Sequence, residues 1–165
     1  MKKFELTREF ITFLGRKLFR IKALVEFGDV KAGELGGYVE KEENINHEGN
    51  AWVYGNARVY GDARVSGDAR VYGNARVYGD ALVVKQEDII FTAAKFGTIF
   101  RTTTAYRTTD GVQINCGCFS GNLEEFREQI TQTREGRMRE KYLHHADEIE
   151  MYFDLDLEKE EKEGE

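Results

Sequence analysis

Proline is missing from all 165 residues, so the turns must be made by other residues, and the 17 glycines are the obvious ones. Long hydrophobic runs are missing as well. Glu5, Arg8, Glu9, Arg16 and Lys17 break up the N-terminal region, which excludes a membrane-spanning helix there and argues against an export signal. Only two cysteines occur, which is too few for a disulfide framework and fits a reducing compartment such as the cytoplasm. Histidine is scarce too, at His47, His144 and His145, so little is available for base or metal chemistry. No cofactor is expected.

Charge is present but unevenly placed. The net charge is -6, yet residues 147–165 hold ten acidic side chains and two lysines, and the rest of the chain is faintly positive. The acidic tail over 153–165, with Asp154, Asp156, Glu158, Glu160 and Glu161, reads either as a solvated terminus or as a decoy for a basic partner surface.

The most regular feature is a six-residue repeat. From Gly49 to Val84 the units GNAWVY, GNARVY, GDARVS, GDARVY, GNARVY and GDALVV follow in register. A period of six fits neither an α-helix nor a heptad, but it fits a short strand followed by a corner. Alanine and valine in each unit share one face, and the residues after them share the other. The Gly-Asn and Gly-Asp pairs are the types that turn corners with positive φ. Three such units close one coil of eighteen residues, and stacked coils bury the alanine and valine rows.

The repeat resembles the hexapeptide repeats of left-handed parallel β-helix proteins, with Ala51, Ala57, Ala63, Ala69, Ala75 and Ala81 as the small residues. Val53, Val59, Val65, Val71, Val77 and Val83 are the aliphatic ones. Tyrosine after the valine departs from the usual motif. The stretches FGDVKAGELGGYVE, YGNARVYGDARV and DGVQINCGCFSGNLEEF together resemble small bacterial, phage and prophage proteins of this type, some labelled transferase or polymer-forming. The resemblance implies a mainly β fold: a short left-handed parallel β-helix of about two to three coils, with an N-terminal β cap and a C-terminal α+β unit. The expected segments are a hairpin and cap at 1–36, the β-helix at 37–84, the α+β unit at 85–152 and the tail. Tyr38, Val39 and Ile45 are expected to face inward and extend the solenoid.

Residues eighteen apart should stack, which puts Trp52 and Tyr54 over Arg70 and Tyr72, and Arg58 and Tyr60 over Arg76 and Tyr78. Arg64 and Ser66 should lie over Leu82 and Val84. Trp52, Tyr54, Arg58, Tyr60, Arg70, Tyr72, Arg76 and Tyr78 form the expected binding surface. Three readings fit it: ladders that only stabilise the sheet, self-association, and binding of a protein or nucleic acid.

Outside the repeat, residues 4–24 read as two strands with a turn at Gly15-Arg16. The glycines at 28–37 lack the Lys-Ser/Thr ending of a phosphate loop. In VQINCGCF, Val112, Ile114, Cys116 and Cys118 should point one way as core residues, with the cysteines poorly spaced for a mutual disulfide. Asn122 and Glu125 make a capping box before a helix with Leu123, Phe126 and Ile130 on its buried stripe. After Gly136 a second helix buries Met138, Tyr142, His145 and Ile149.

The resemblance offers two chemistries, acyl transfer with a histidine base and a zinc site of three histidines. Both need histidine on the coils, and the six clear units have none. His47 is the only catalytic candidate, and no metal site is expected. The expected function is a non-catalytic binding or scaffolding module, phage- or prophage-encoded. It would act in the host cytoplasm as a counter-defence inhibitor of the anti-CRISPR type, by steric blockade of a host complex or by charge mimicry. A homodimer or homotrimer is expected, because so few coils bury little core. The alternatives are an acyltransferase-like enzyme and a nucleic-acid or nucleotide binder.

Overall fold

The computed structural model describes residues 1–94 and 100–155, with side chains described outside 93–99. Contacts divide the chain into two compact units. One comprises Met1–Ile89 and Tyr106–Asp110, the other Ile90–Ala105 and Gly111–Glu165. Residues read from sequence as separate N-terminal and repeat segments thus fall within one unit.

That first unit begins with a hairpin, β1 (Phe4–Phe13) and β2 (Arg16–Ala23), joined by a turn in which Leu14 and Gly15 take positive φ. β3 (Leu35–Val39) pairs antiparallel with β2 on one side and parallel with the solenoid on the other. Six two-residue strands follow: β4 (Trp52–Val53), β5 (Arg58–Val59), β6 (Arg64–Val65), β7 (Arg70–Val71), β8 (Arg76–Val77) and β9 (Leu82–Val83). Each pairs in parallel with the strand eighteen residues on: Trp52 with Arg70, Arg58 with Arg76, and Arg64 with Leu82. This is the register expected from the repeat.

The reason is local. Every repeat glycine, at 49, 55, 61, 67, 73 and 79, has φ between 57° and 72°, a corner that a Cβ would strain. Between corners, the alanine and valine rows are buried throughout, none more than 2% exposed. Val39 and Ile45 continue the inward row, and Ile45 bridges in parallel to Val65. Tyr38 does not. It lies opposite Arg58, outside the solenoid core, and packs on Leu18 and Tyr60. Alternation along β3 puts Val39 inward and so sends Tyr38 to the other face.

A solenoid has ends, and each end exposes backbone groups with no neighbouring coil. Here side chains from outside the repeat take the place of the missing strand. Lys3 Nζ donates to the carbonyls of Gly49 at 3.2 Å and Ala51 at 2.9 Å. Asn44 Nδ2 donates to Gly61 O at 3.1 Å and Ala63 O at 2.9 Å. On the remaining face β3 does the same with its backbone, Tyr38 N–H to Ala57 O and Glu40 N–H to Val59 O. At the opposite end Arg70 N–H donates to Gln86 Oε1, and the N–H groups of Val84 and Lys85 donate to Asp88 Oδ2.

Lys3 is 3% exposed, and burial holds its ammonium down to about 8 from the ordinary 10.5. The folded chain therefore gives up this proton before the unfolded chain does. The sign follows: the Lys3 contribution makes stability rise as pH goes from about 8 to about 10.5. Urea denaturation across that window should show the rise, and Lys3→Met should remove it. Tyr54 and Tyr60, pushed up to about 12 by burial first, work in the opposite direction only above about 10.

In the second unit the sheet order is β10 (Ile89–Ala94), β11 (Arg101–Thr108), β12 (Gly111–Cys116) and β13 (Phe119–Gly121). The last residues of β11 and the turn after it belong to the first unit. Two helices complete it, α1 (Leu123–Thr133) and α2 (Gly136–Tyr152). The Asn122 capping box forms, with Glu125 N–H to Asn122 Oδ1 at 2.9 Å and Asn122 N–H to Glu125 Oε2 at 2.8 Å. Leu123, Phe126 and Ile130 pack against Tyr142, Ala146 and Ile149, while Met138 is partly buried beside them. Cys118 is a correction. It is exposed rather than in the core, because the chain reverses at Gly117 and ends the alternation that Val112, Ile114 and Cys116 obey.

Candidate functional site

The outward residues of the repeat were the expected contact surface, and the structure covers most of them. Trp52 is fully buried, with Phe4 at 6.0 Å and Phe27 at 5.3 Å, both edge-on. Tyr60 is 4% exposed, stacked on Tyr78 at 4.8 Å and met by Phe13 at 5.9 Å. The Arg58 guanidinium lies 4.3 Å from the centre of the Phe13 ring, a cation–π distance. Tyr54 donates its hydroxyl to Asp29 at 3.1 Å, and Arg70 reaches the same carboxylate at 2.9 Å. Desolvation pushes the Asp29 carboxyl up, but Tyr54, a backbone hydrogen bond at Asp29 itself and Arg70 together outweigh it and hold it below its ordinary value. Arg76 and Tyr78 are half-buried, and Tyr106 Oη bonds both the N–H and the C=O of Tyr78. Of the eight residues Tyr72 is the most exposed, at 47%, and the Arg70 side chain stays 42% open while it holds Asp29.

So two of the three outward rows are largely occupied by the chain itself, from the N-terminal hairpin and the loop after it. Trp52 and Tyr60 belong to the core, as a correction to their place on the binding surface. The physical reason is that aromatic rows on a solenoid are good packing surfaces for any apolar segment, including one from the same chain.

The third row is different. Arg64 is exposed, Ser66 is half-buried, and Leu82 and Val84 are 43% and 38% exposed. A groove of about 730 Å3 runs along it, lined by Ile45, Arg64, Val65, Ser66 and Leu82 together with Glu42, Glu43, Asn46 and His47. The groove therefore combines an apolar strip with charges of both signs.

His47, the catalytic candidate, has both ring nitrogens engaged. Nδ1 accepts from the Lys3 N–H at 3.1 Å, so it carries no proton of its own. Nε2 then bears the hydrogen and donates to Glu42 Oε1 at 2.7 Å. The ring stacks on Phe4 at 4.5 Å. A general base needs a free lone pair aimed at a substrate proton, and the His47 lone pair is held by backbone. Burial pushes the Glu42 carboxyl up, but Lys2 and His47 prevail and hold it below its ordinary value.

His145 is buried on α2, with Nδ1 at 3.1 Å from Glu148, and His144 is exposed on the same helix. Among the described residues no cluster of His, Cys, Asp and Glu could hold a metal ion, and no helix is long and apolar enough to cross a membrane. In the acidic tail, Asp154 is exposed with a φ of 55°. Asp156, Glu158, Glu160 and Glu161 lie outside the described residues.

The family model described as YdcK beta solenoid repeat matches residues 51–67, 57–72, 63–79 and 69–84. Each match begins six residues after the one before, which is the spacing of the strands β4 to β9. A comparison with curated proteins finds no match. Parallel strands at an eighteen-residue register and these overlapping matches agree that residues 51–84 form a beta-solenoid repeat.

Proposed function

We propose that this chain is a non-catalytic protein-binding module, built on a short left-handed β-helix of hexapeptide type, with the Arg64–Leu82 face as its contact surface. One observation carries the reading. Apart from Tyr72, the solenoid's outward rows are largely covered by the chain itself except on this face, where two aliphatic side chains stay exposed beside a groove. An apolar strip interleaved with charge is the composition of a protein interface rather than of a substrate pocket. The occupied nitrogens of His47 support the absence of catalysis.

The resemblance of the flanking stretches to small phage and prophage proteins supports a finer version. In it the module is an inhibitor that occupies a host protein complex and blocks it sterically, with the acidic tail adding charge mimicry.

A pull-down from host lysate tests this. The wild-type chain should retain a protein partner that Leu82→Glu loses. Leu82 is exposed, so this variant should unfold within about 0.5 kcal/mol of wild type. Retention of the same partner by Leu82→Glu at undiminished yield would sink the proposal. Light scattering on the purified chain separates self-association through this face from capture of a foreign protein.

A further inference from the structure

Cys116 and Cys118 were expected to be core thiols on one extended strand, poorly spaced for a mutual disulfide. The structure places them around a reversal instead. Pairing of β12 with β13 closes at Cys116 and Phe119, so Gly117 and Cys118 are the two residues of a hairpin loop. Gly117 supplies the positive φ such a loop needs, at 63°. In an extended strand, residues two apart are separated by roughly 6.7 Å. That is at the far limit of the roughly 4.4–6.8 Å between Cα atoms of bridged cysteines. A chain that folds back within two residues shortens the span, and the spacing argument against a disulfide no longer holds.

The surroundings point the same way. Both cysteines line one cavity of about 210 Å3, together with Arg101, Phe119, Phe126 and Tyr142. Cys116 is buried, and its Sγ accepts from Thr103 Oγ1 at 3.2 Å, while Cys118 is exposed. An accessible attacking thiol next to a sheltered resolving thiol is the arrangement disulfide exchange uses. The Arg101 guanidinium lies directly against Gly117, in the space a Cβ there would fill, and makes no ion pair among the described residues. With Arg134 it lines the cavity and places positive charge beside the two cysteines, which favours an anionic reactant.

We propose that Cys116-Gly117-Cys118 is a redox-active dithiol that closes to an intramolecular disulfide on meeting an anionic low-molecular-weight disulfide. Cys118, as thiolate, attacks one sulfur of that disulfide. A mixed disulfide forms, the small molecule's S–S bond breaks, and one small thiolate leaves. Cys116, as thiolate, then attacks Cys118 Sγ, forming the Cys116–Cys118 bond and releasing the second small thiolate. The two protein thiol protons end on the two expelled thiols. Two electrons pass from the protein to the small disulfide.

The test uses the full reduced chain, folded, with glutathione disulfide as the probe. Remaining thiols are trapped by alkylation and counted by mass spectrometry. The oxidised chain should take up no alkylating group, weigh two hydrogens less than the reduced chain, and stay a single chain. Closure should be slower in urea, where the hairpin is lost. Cys116→Ser should stop with one glutathione on Cys118. A wild-type chain that stops there too, with Cys116 still alkylated, overturns the proposal, as does a disulfide-linked dimer or equal rates in water and urea. Arg101→Gln should slow the first step and leave the end point unchanged, and an unchanged rate overturns the role given to Arg101.

Discussion

Trp52→Ala should destabilise the chain by about 3–5 kcal/mol, among the largest effects of any single truncation in it. The indole is fully buried between Phe4 and Phe27, although it stands on the outer side of its strand. Truncation leaves a cavity between the solenoid and the segment that covers it, and it removes two edge-on aromatic contacts. Among the described residues Trp52 Nε1 has no hydrogen-bond partner, so the indole's value is its apolar bulk. Trp52→Phe should accordingly cost only about 1–2 kcal/mol. Urea denaturation followed by circular dichroism measures both, since the single tryptophan is itself replaced. An alanine variant within about 0.5 kcal/mol of wild type would place Trp52 on an open surface after all.

Asn44→Asp should be comparably damaging, at about 3–5 kcal/mol near neutral pH, despite a nearly unchanged shape. Asn44 is fully buried and uses all it has: Nδ2 to the carbonyls of Gly61 and Ala63, and Oδ1 from the Lys41 N–H. An aspartate keeps the acceptor but turns the double donor into an oxygen facing two other oxygens. The buried carboxylate is then repelled and desolvated, so its pKa rises in the folded chain. The folded state binds this proton more tightly than the unfolded one, which means the penalty is smallest at low pH and grows as pH rises through the unfolded value. Urea midpoints of variant and wild type should therefore converge on acidification. A constant gap across pH would show that the carboxylate is solvated and that Asn44 does not close the end of the solenoid.

How much of this could be read from residues alone depends on the reach of each interaction. The alanine and valine rows and the eighteen-residue register were legible, because corner glycines and a period-two face act within a few residues. The capping box at Asn122 and the stripe Tyr142, His145 and Ile149 were legible for the same reason. Burial of Trp52 and Tyr60 was not, because their covers, Phe4, Phe13 and Phe27, come from a different stretch of chain and nothing in the repeat announces them. That His47 is held in place was not legible either, because two of its partners, a backbone N–H and a ring, come from residues 3 and 4. Cys118 failed through one dihedral angle: the alternation Val112, Ile114, Cys116, Cys118 reads equally well as a strand or as a strand that turns at Gly117.

Lys3 and Asn44 have a consequence for how long such a rod can be. A repeat whose every coil presents the same donors and acceptors has no intrinsic length, and an open end would template another copy of itself. The acceptors at Gly49, Ala51, Gly61 and Ala63 are already occupied by side chains that cannot pass the ladder on. Termination is therefore encoded outside the repeat, and the number of units between the two stops is a variable that can drift in eighteen-residue steps without altering either end.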